Sequence, residues 1–216
     1  MAKKSKDLSV FVALDRSGSM GGEKWTNAVD SLNEYVKGLQ KEKIKGDITI
    51  VAFDSDGMYG GASSVRLHSL AESADIANFA SIHPSVLHPA GGTPLYDAAG
   101  HVINLALEKN SKRTVIVILT DGEENTSKEY TQAKIKEKVT EVTAKGWEVI
   151  FLGANFDAAK YNAGSGLAAG KLRNFDLNDL SSRTAMYSDL TKSTTAYATT
   201  GAAMNLNVAV EINKKV

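Results

Sequence analysis

Leu8-Ser-Val-Phe-Val-Ala-Leu-Asp15 and, far along the chain, Thr114-Val-Ile-Val-Ile-Leu-Thr-Asp121 decide the fold. Both are nearly unbroken apolar runs that end in an aspartate. A strand with one wet face alternates apolar and polar residues. An unbroken run is the pattern of a strand buried on both faces, as in a parallel sheet wrapped by helices. Between and beyond these runs the periodicity changes. Residues 23–40 place Trp25, Ala28, Val29, Leu32, Tyr35, Val36 and Leu39 at helical spacing. Residues 47–53 (DITIVAF) predict a second buried strand. Residues 64–70 (SVRLHSL) alternate, which predicts an edge strand. The short link between those two holds Gly57, Gly60 and Gly61, so they should form an antiparallel hairpin.

The second half continues the alternation. Thr93-Pro94 predicts a helix start, with Thr93 as N-cap and Pro94 in the first turn, running to about Lys109. Residues 127–145 read as an amphipathic helix stopped by Gly146. A strand over 147–152, a short helix over 155–162, a weaker strand over 171–177 and a Ser/Thr-rich helix over 178–199 follow. The tail over 205–213 alternates again, with Leu206, Val208, Val210 and Ile212 on one face. It predicts an added C-terminal strand that pairs with a sheet edge or with another chain, a route to a homo-oligomer. The expected organisation is a basic tail (1–7), one doubly wound α/β domain (8–200) with helices on both faces, and a C-terminal strand extension (201–216).

Composition narrows the function. The chain has 216 residues, 43% of them hydrophobic and 23% charged, with 25 basic and 25 acidic residues. A net charge of zero argues against a nucleic-acid partner, which calls for a basic excess. With no cysteine, disulfides, thiolate nucleophiles and Cys-ligated zinc are excluded. The apolar run after Lys3, Lys4 and Lys6 is too short for a signal peptide or a membrane span. A soluble, cytoplasmic protein with no membrane partner is therefore expected.

In doubly wound sheets ligands bind at the carboxyl ends of the strands, where the strand order reverses. Two strands end there in Asp15-Arg-Ser17-Gly-Ser19 and Asp121-Gly-Glu-Glu-Asn125, and the loop Gly91-Gly92-Thr93-Pro94 adds a hydroxyl. Two carboxylates and three hydroxyls are hard oxygen donors. They suit Mg²⁺, Mn²⁺ or Ca²⁺ rather than zinc. Ser17, Ser19 and Thr93 could bind directly, with Asp15 and Asp121 binding directly or through water. Neutral hydroxyls leave the ion under-neutralised, so an open position would attract a carboxylate from outside.

Together, Asp15-x-Ser17-x-Ser19, Thr93 in its GGTP loop and Asp121-Gly122 after a buried strand resemble the metal-ion-dependent adhesion site of von Willebrand factor A domains. The resemblance spans about residues 8–199 and fills all five positions in the family's chain order. It implies a six-stranded, mostly parallel sheet with one antiparallel edge strand. It also implies binding rather than catalysis, with Asp or Glu of a protein partner completing the metal shell. In some members the last helix, here about 178–199, shifts when ligand binds. The tail from Met204 onward lies outside the resemblance.

Other readings stand beside this one. Asp15 could cap a helix, and Ser17 and Ser19 could satisfy turn amides. Glu123 and Glu124 read as a solvated pair at a helix start. Asp54 and Asp56 read as a polar turn or a second calcium site. His68, His83, His88 and His101 show no metal spacing and read as surface or loop residues. No G-x-S-x-G or G-x-G-x-x-G is present, which removes serine hydrolases and dinucleotide enzymes. A Mg²⁺-dependent phosphatase is the enzymatic rival. The alternative function class is structural: a subunit of a larger phage or bacterial assembly, with the tail strand pairing between chains.

Overall fold

The computed structural model describes residues 8–56, 64–154 and 170–206. Six strands form one sheet: β1 (Leu8–Asp15), β2 (Gly46–Ser55), β3 (Val65–Asp75), β4 (Arg113–Thr120), β5 (Glu148–Ala154) and β6 (Leu172–Phe175). Their spatial order is β3-β2-β1-β4-β5-β6. All neighbours pair in parallel except β2 and β3, which are antiparallel. Among the described residues four α-helices cover the sheet: α1 (Glu23–Lys41), α2 (Leu95–Lys109), α3 (Gln132–Ala144) and α4 (Leu180–Thr200).

The unbroken apolar runs lie where expected. Val10, Val12 and Leu14 of β1 join one core with α1 and α4. Phe11 and Ala13, the intervening residues, join the other core with α2 and α3. Each buried Leu, Ile or Phe of these two layers contributes about 1.5–3 kcal/mol, so a central strand facing both cores is tightly held. β1 has β2 on one side and β4 on the other. The order reverses there, and the crevice opens beyond Asp15 and Thr120.

Several boundaries differ from the sequence reading. β3 runs to Asp75, past the alternating stretch, and the β2–β3 register shifts between Ile48 and Ile50 and again before Val51. Those irregularities put the later side chains out of phase. Helix α2 starts at Leu95, with Pro94 in the cap position and no side-chain cap bond. Thr93 is therefore not the capping group. Helix α3 starts at Gln132 rather than 127, where the Thr131 side chain accepts from Lys134 N–H. Before that point Asp97 of α2 holds the chain. Its carboxylate accepts from the backbone N–H of Lys128, Glu129 and Tyr130 at 2.8–2.9 Å.

Met204 and Leu206, at 2% and 1% exposure, belong to the same core as α1 and α4. Leu206 N–H donates to Gly170 O, and Glu148 accepts from Met204 N–H. Asn205 and Leu206 are not in a strand, and the remainder of the expected tail strand lies outside the described residues. So do the expected helix over 155–162, the tip of the β2–β3 link and the basic residues 1–7. Among the described residues, no helix is long and apolar enough to cross a membrane.

Candidate functional site

Asp15 closes β1 and is fully buried. One carboxylate oxygen, Oδ1, accepts from Ser17 N–H at 2.7 Å. The other, Oδ2, accepts from the Thr120 hydroxyl at 2.5 Å, because β1 and β4 end side by side. The chain then folds into a 3-10 turn over Gly18–Met20. That turn brings the Ser19 hydroxyl to 3.0 Å from the Ser17 hydroxyl. Ser19 Oγ donates in turn to Asp121 Oδ1 at 2.7 Å. Ser17, Ser19 and Asp121 thus form a continuous run of oxygens across the gap between β1 and β4.

Thr93 arrives on a loop fixed at both ends. Gly91 O accepts from Gly18 N–H at 3.0 Å, and Ala90 N–H donates to Arg16 O at 2.9 Å. On the other side Ser55 N–H donates to Gly92 O at 3.2 Å, and Gly92 N–H donates to Ser55 Oγ at 2.9 Å. Gly91 has φ +68°, and a Cβ there would lie 1.8 Å from Ser55 O. Only glycine fits so close to β2. Thr93 N–H donates to Asn125 Oδ1 at 2.8 Å, and Asn125 N–H returns a bond to Thr93 O. A methyl group placed on Gly122 would lie 3.4 Å from Thr93 Oγ1 and 3.6 Å from Ser19 Oγ. The two hydroxyls therefore face the same point, beside Asp121. All five predicted residues meet at the crest of the sheet.

The electrostatics of this crest are unbalanced. Burial pushes the Asp15 carboxyl up from 3.8 to about 6. The hydrogen bonds from Thr120 and Ser17 oppose the rise, and the charge of Asp121 adds to it. Lys24 is the cation beside the pair, its Nζ 2.6 Å from Asp121 Oδ2. The neighbouring acids are engaged elsewhere. Asp54, fully buried, is clasped by Arg16 and by Arg66, with His68 Nε2 at 3.5 Å. Asp56 accepts from Ser64 N–H. The second calcium site considered for these two aspartates is thereby accounted for by guanidinium and backbone partners.

Some contributors were not read from the sequence. Glu124 is not a solvated helix-start residue. Its carboxylate accepts from Tyr96, Thr126 and Ser127 N–H and from the Ser127 hydroxyl. Asn125 positions Thr93, and Thr120 orients Asp15. Lys24 was hidden because helical periodicity marks only the apolar neighbour Trp25. The run Asp121-Gly-Glu-Glu-Asn125 did carry a signal: five polar or small residues directly after a buried strand need partners for their backbone. Of the four histidines, His83 accepts from Ser85 N–H in its loop, and burial lowers the pKa of half-buried His101.

The donor set fits a hard divalent cation. Among the described residues no three side chains of the His, Cys, Asp and Glu types gather as ligands, so a cation at the crest depends on the hydroxyls. Two carboxylates, one of them buried with no cationic partner among the described residues, face three hydroxyls and the open side of Gly122. A lysine ammonium already rests on one carboxylate.

Comparison with known proteins gives a consistent picture. The sequence profile of the von Willebrand factor type A domain matches residues 9–185. No curated protein matches the sequence. Among solved structures, proximal thread matrix protein 1 from the mussel byssus superimposes with TM-score 0.58 at 16% identity, covering 86% of this chain and 45% of that one. Manganese-loaded TRAP protein of Plasmodium vivax gives 0.55 at 14% identity, with 80% and 69% covered. The pilus adhesin SpaC of Lactobacillus rhamnosus GG gives 0.63 at 14% identity, with 89% and 31% covered. The chain thus spans less than half the length of the first and third of these proteins.

Proposed function

Because this chain belongs to the von Willebrand factor type A domain family, we propose that it is a metal-dependent protein-binding module. Asp15, Ser17, Ser19, Thr93 and Asp121 would hold Mg²⁺, or Mn²⁺ or Ca²⁺ in its place. Such an ion supplies an electrophilic open position that accepts a carboxylate from Asp or Glu of a partner. The observation that carries this reading is the meeting of three distant segments at one point, where the five proposed ligands are all hard oxygen donors.

The chain's own residues prepare the site. Thr120 and Ser17 N–H fix both oxygens of Asp15, which keeps its carboxylate from rotating. Asn125 sets the Thr93 backbone, and Gly91 lets the loop approach β2 closely. The hydroxyls carry no charge, so the cation's remaining charge is left for an anionic partner. The pilus adhesin and the manganese-loaded TRAP protein that share this fold lend support to a metal-dependent binding role.

The test is calorimetry of the full chain with MgCl₂ and MnCl₂. The wild type should bind one ion, and Asp15→Ala should abolish binding while circular dichroism stays native. Equal affinity in both proteins would sink the proposal. Capture of a partner from host extract in Mg²⁺, lost in EDTA, would identify the acidic ligand.

A further inference from the structure

Lys24 lies in the first turn of α1, directly after the serine-bearing turn. Its ammonium makes two contacts: 2.6 Å to Asp121 Oδ2 and 3.2 Å to Ser19 O. Asp121 gives its other oxygen to the Ser19 hydroxyl. Both carboxylate oxygens are thus engaged, one by a site hydroxyl and one by a cation from the same chain. The Asp121 side chain is fully buried, whereas that of Lys24 is 30% exposed. One partner is fixed, and the other sits at the end of a flexible stem that already reaches solvent.

Of the five proposed ligands, two are acids, Asp15 and Asp121. A divalent ion and an ammonium at the same carboxylate would repel at a few ångströms, in surroundings that screen poorly. The ion also needs the negative charge that Lys24 now neutralises. We infer that Lys24 is a tethered competitor: it occupies Asp121 while the site is metal-free and leaves for solvent as the divalent cation enters. The inference rests on the metal-binding reading above. Its consequence is that Lys24 weakens cation affinity and raises the ion concentration at which the site fills. It also keeps the buried Asp121 charge compensated in the empty state, so the metal-free fold does not carry two bare acids.

The same contacts would serve a merely structural lysine, so the experiment must separate the two roles. Full-length wild type and Lys24→Met, which keeps the apolar stem, are titrated with MnCl₂ by calorimetry. They are also melted in EDTA and in saturating MnCl₂. Lys24→Gln serves as a second variant in case the methionine protein folds poorly. Expected is a Kd for Mn²⁺ about five-fold tighter in the variants, the size of effect that breaking a part-exposed ion pair allows. The variants should melt below wild type in EDTA, and that gap should close in MnCl₂. Equal or weaker Mn²⁺ affinity in the variants overturns the inference and leaves the metal site standing. An equal loss of melting temperature with and without Mn²⁺ assigns Lys24 a structural role and also overturns it. Absence of Mn²⁺ binding in wild type and variants alike overturns the metal-binding reading together with this one.

Discussion

Replacing Gly91 with alanine should damage both stability and the candidate site, and the geometry sets the size of the effect. Gly91 sits at φ +68°, where a side chain costs about 1 kcal/mol. The new methyl would lie 1.8 Å from Ser55 O and 2.9 Å from Ser55 C. These are backbone atoms of a buried strand, so the loop must retreat. Retreat breaks the two bonds between Gly92 and Ser55, each contributing about 1 kcal/mol. The sum is about 3 kcal/mol, or roughly 6–12 °C in Tm for a chain of this length. Gly146→Ala is the matched control. It has φ +78° but nothing within 4 Å of the added methyl, so it should lose about 1 kcal/mol and roughly 2–4 °C. Moving Gly91 also moves Thr93, so Gly91→Ala alone should weaken Mg²⁺ binding. Thermal melts of both variants, with Mg²⁺ calorimetry, decide the matter. If the two variants melt together and bind Mg²⁺ equally, the close approach of this loop to β2 is not what positions Thr93.

Two further outcomes follow from the charge and the core. Asp15 has a folded-state pKa raised above its unfolded value, so the metal-free native state prefers the protonated acid. The stability tied to that proton is complete below the ordinary pKa of 3.8 and is lost as pH rises through about 6. In EDTA, Asp15→Asn should therefore gain on wild type as pH rises from about 3.8 to about 6, by up to about 3 kcal/mol, and keep that margin at higher pH. A gap independent of pH in denaturant titrations would refute that sign. Ending the chain at Thr200 removes Met204 and Leu206 from the core. Relative to a chain ending at Leu206, the loss should be about 4 kcal/mol or more. Equal melting of both truncations would contradict the placement of these two side chains. Light scattering on the chain ended at Leu206 measures whether residues beyond it join copies.

The sequence made the architecture readable where burial is two-sided. The runs in β1 and β4 have no polar interruptions because both faces meet a core, and their terminal aspartates mark the crest. The antiparallel edge was legible because β3 alternates at its start. Its extension to Asp75 was not, because irregular pairing with β2 destroys the period that a sequence displays. The start of α3 was misplaced for a different reason. Residues 127–131 have helix-like composition, but Asp97 and Glu124 bind their amides and hold them out of a helix. Such tertiary hydrogen bonds leave no local pattern. Four of the five proposed ligands were readable from residue type and position at or just past strand ends, and Thr93 from its glycine-flexed loop before a helix. Lys24, Thr120 and Asn125 were not, since a lysine, a threonine or an asparagine near a turn is ordinary until its partner is known.

The stitching of the crest carries a last consequence. Gly91 is tied to Gly18, Gly92 to β2, Thr93 to Asn125, Tyr96 to Glu124, and Asp15 to β4. Freezing these segments belongs to the folding reaction, so an arriving ion has little chain left to order. Walls that cannot yield also cannot widen. On the proposed reading, discrimination among alkaline-earth and transition ions would then be decided by ionic radius and by how many waters the ion can retain. A compact octahedral guest would be favoured over a larger one that needs seven or eight oxygens around it.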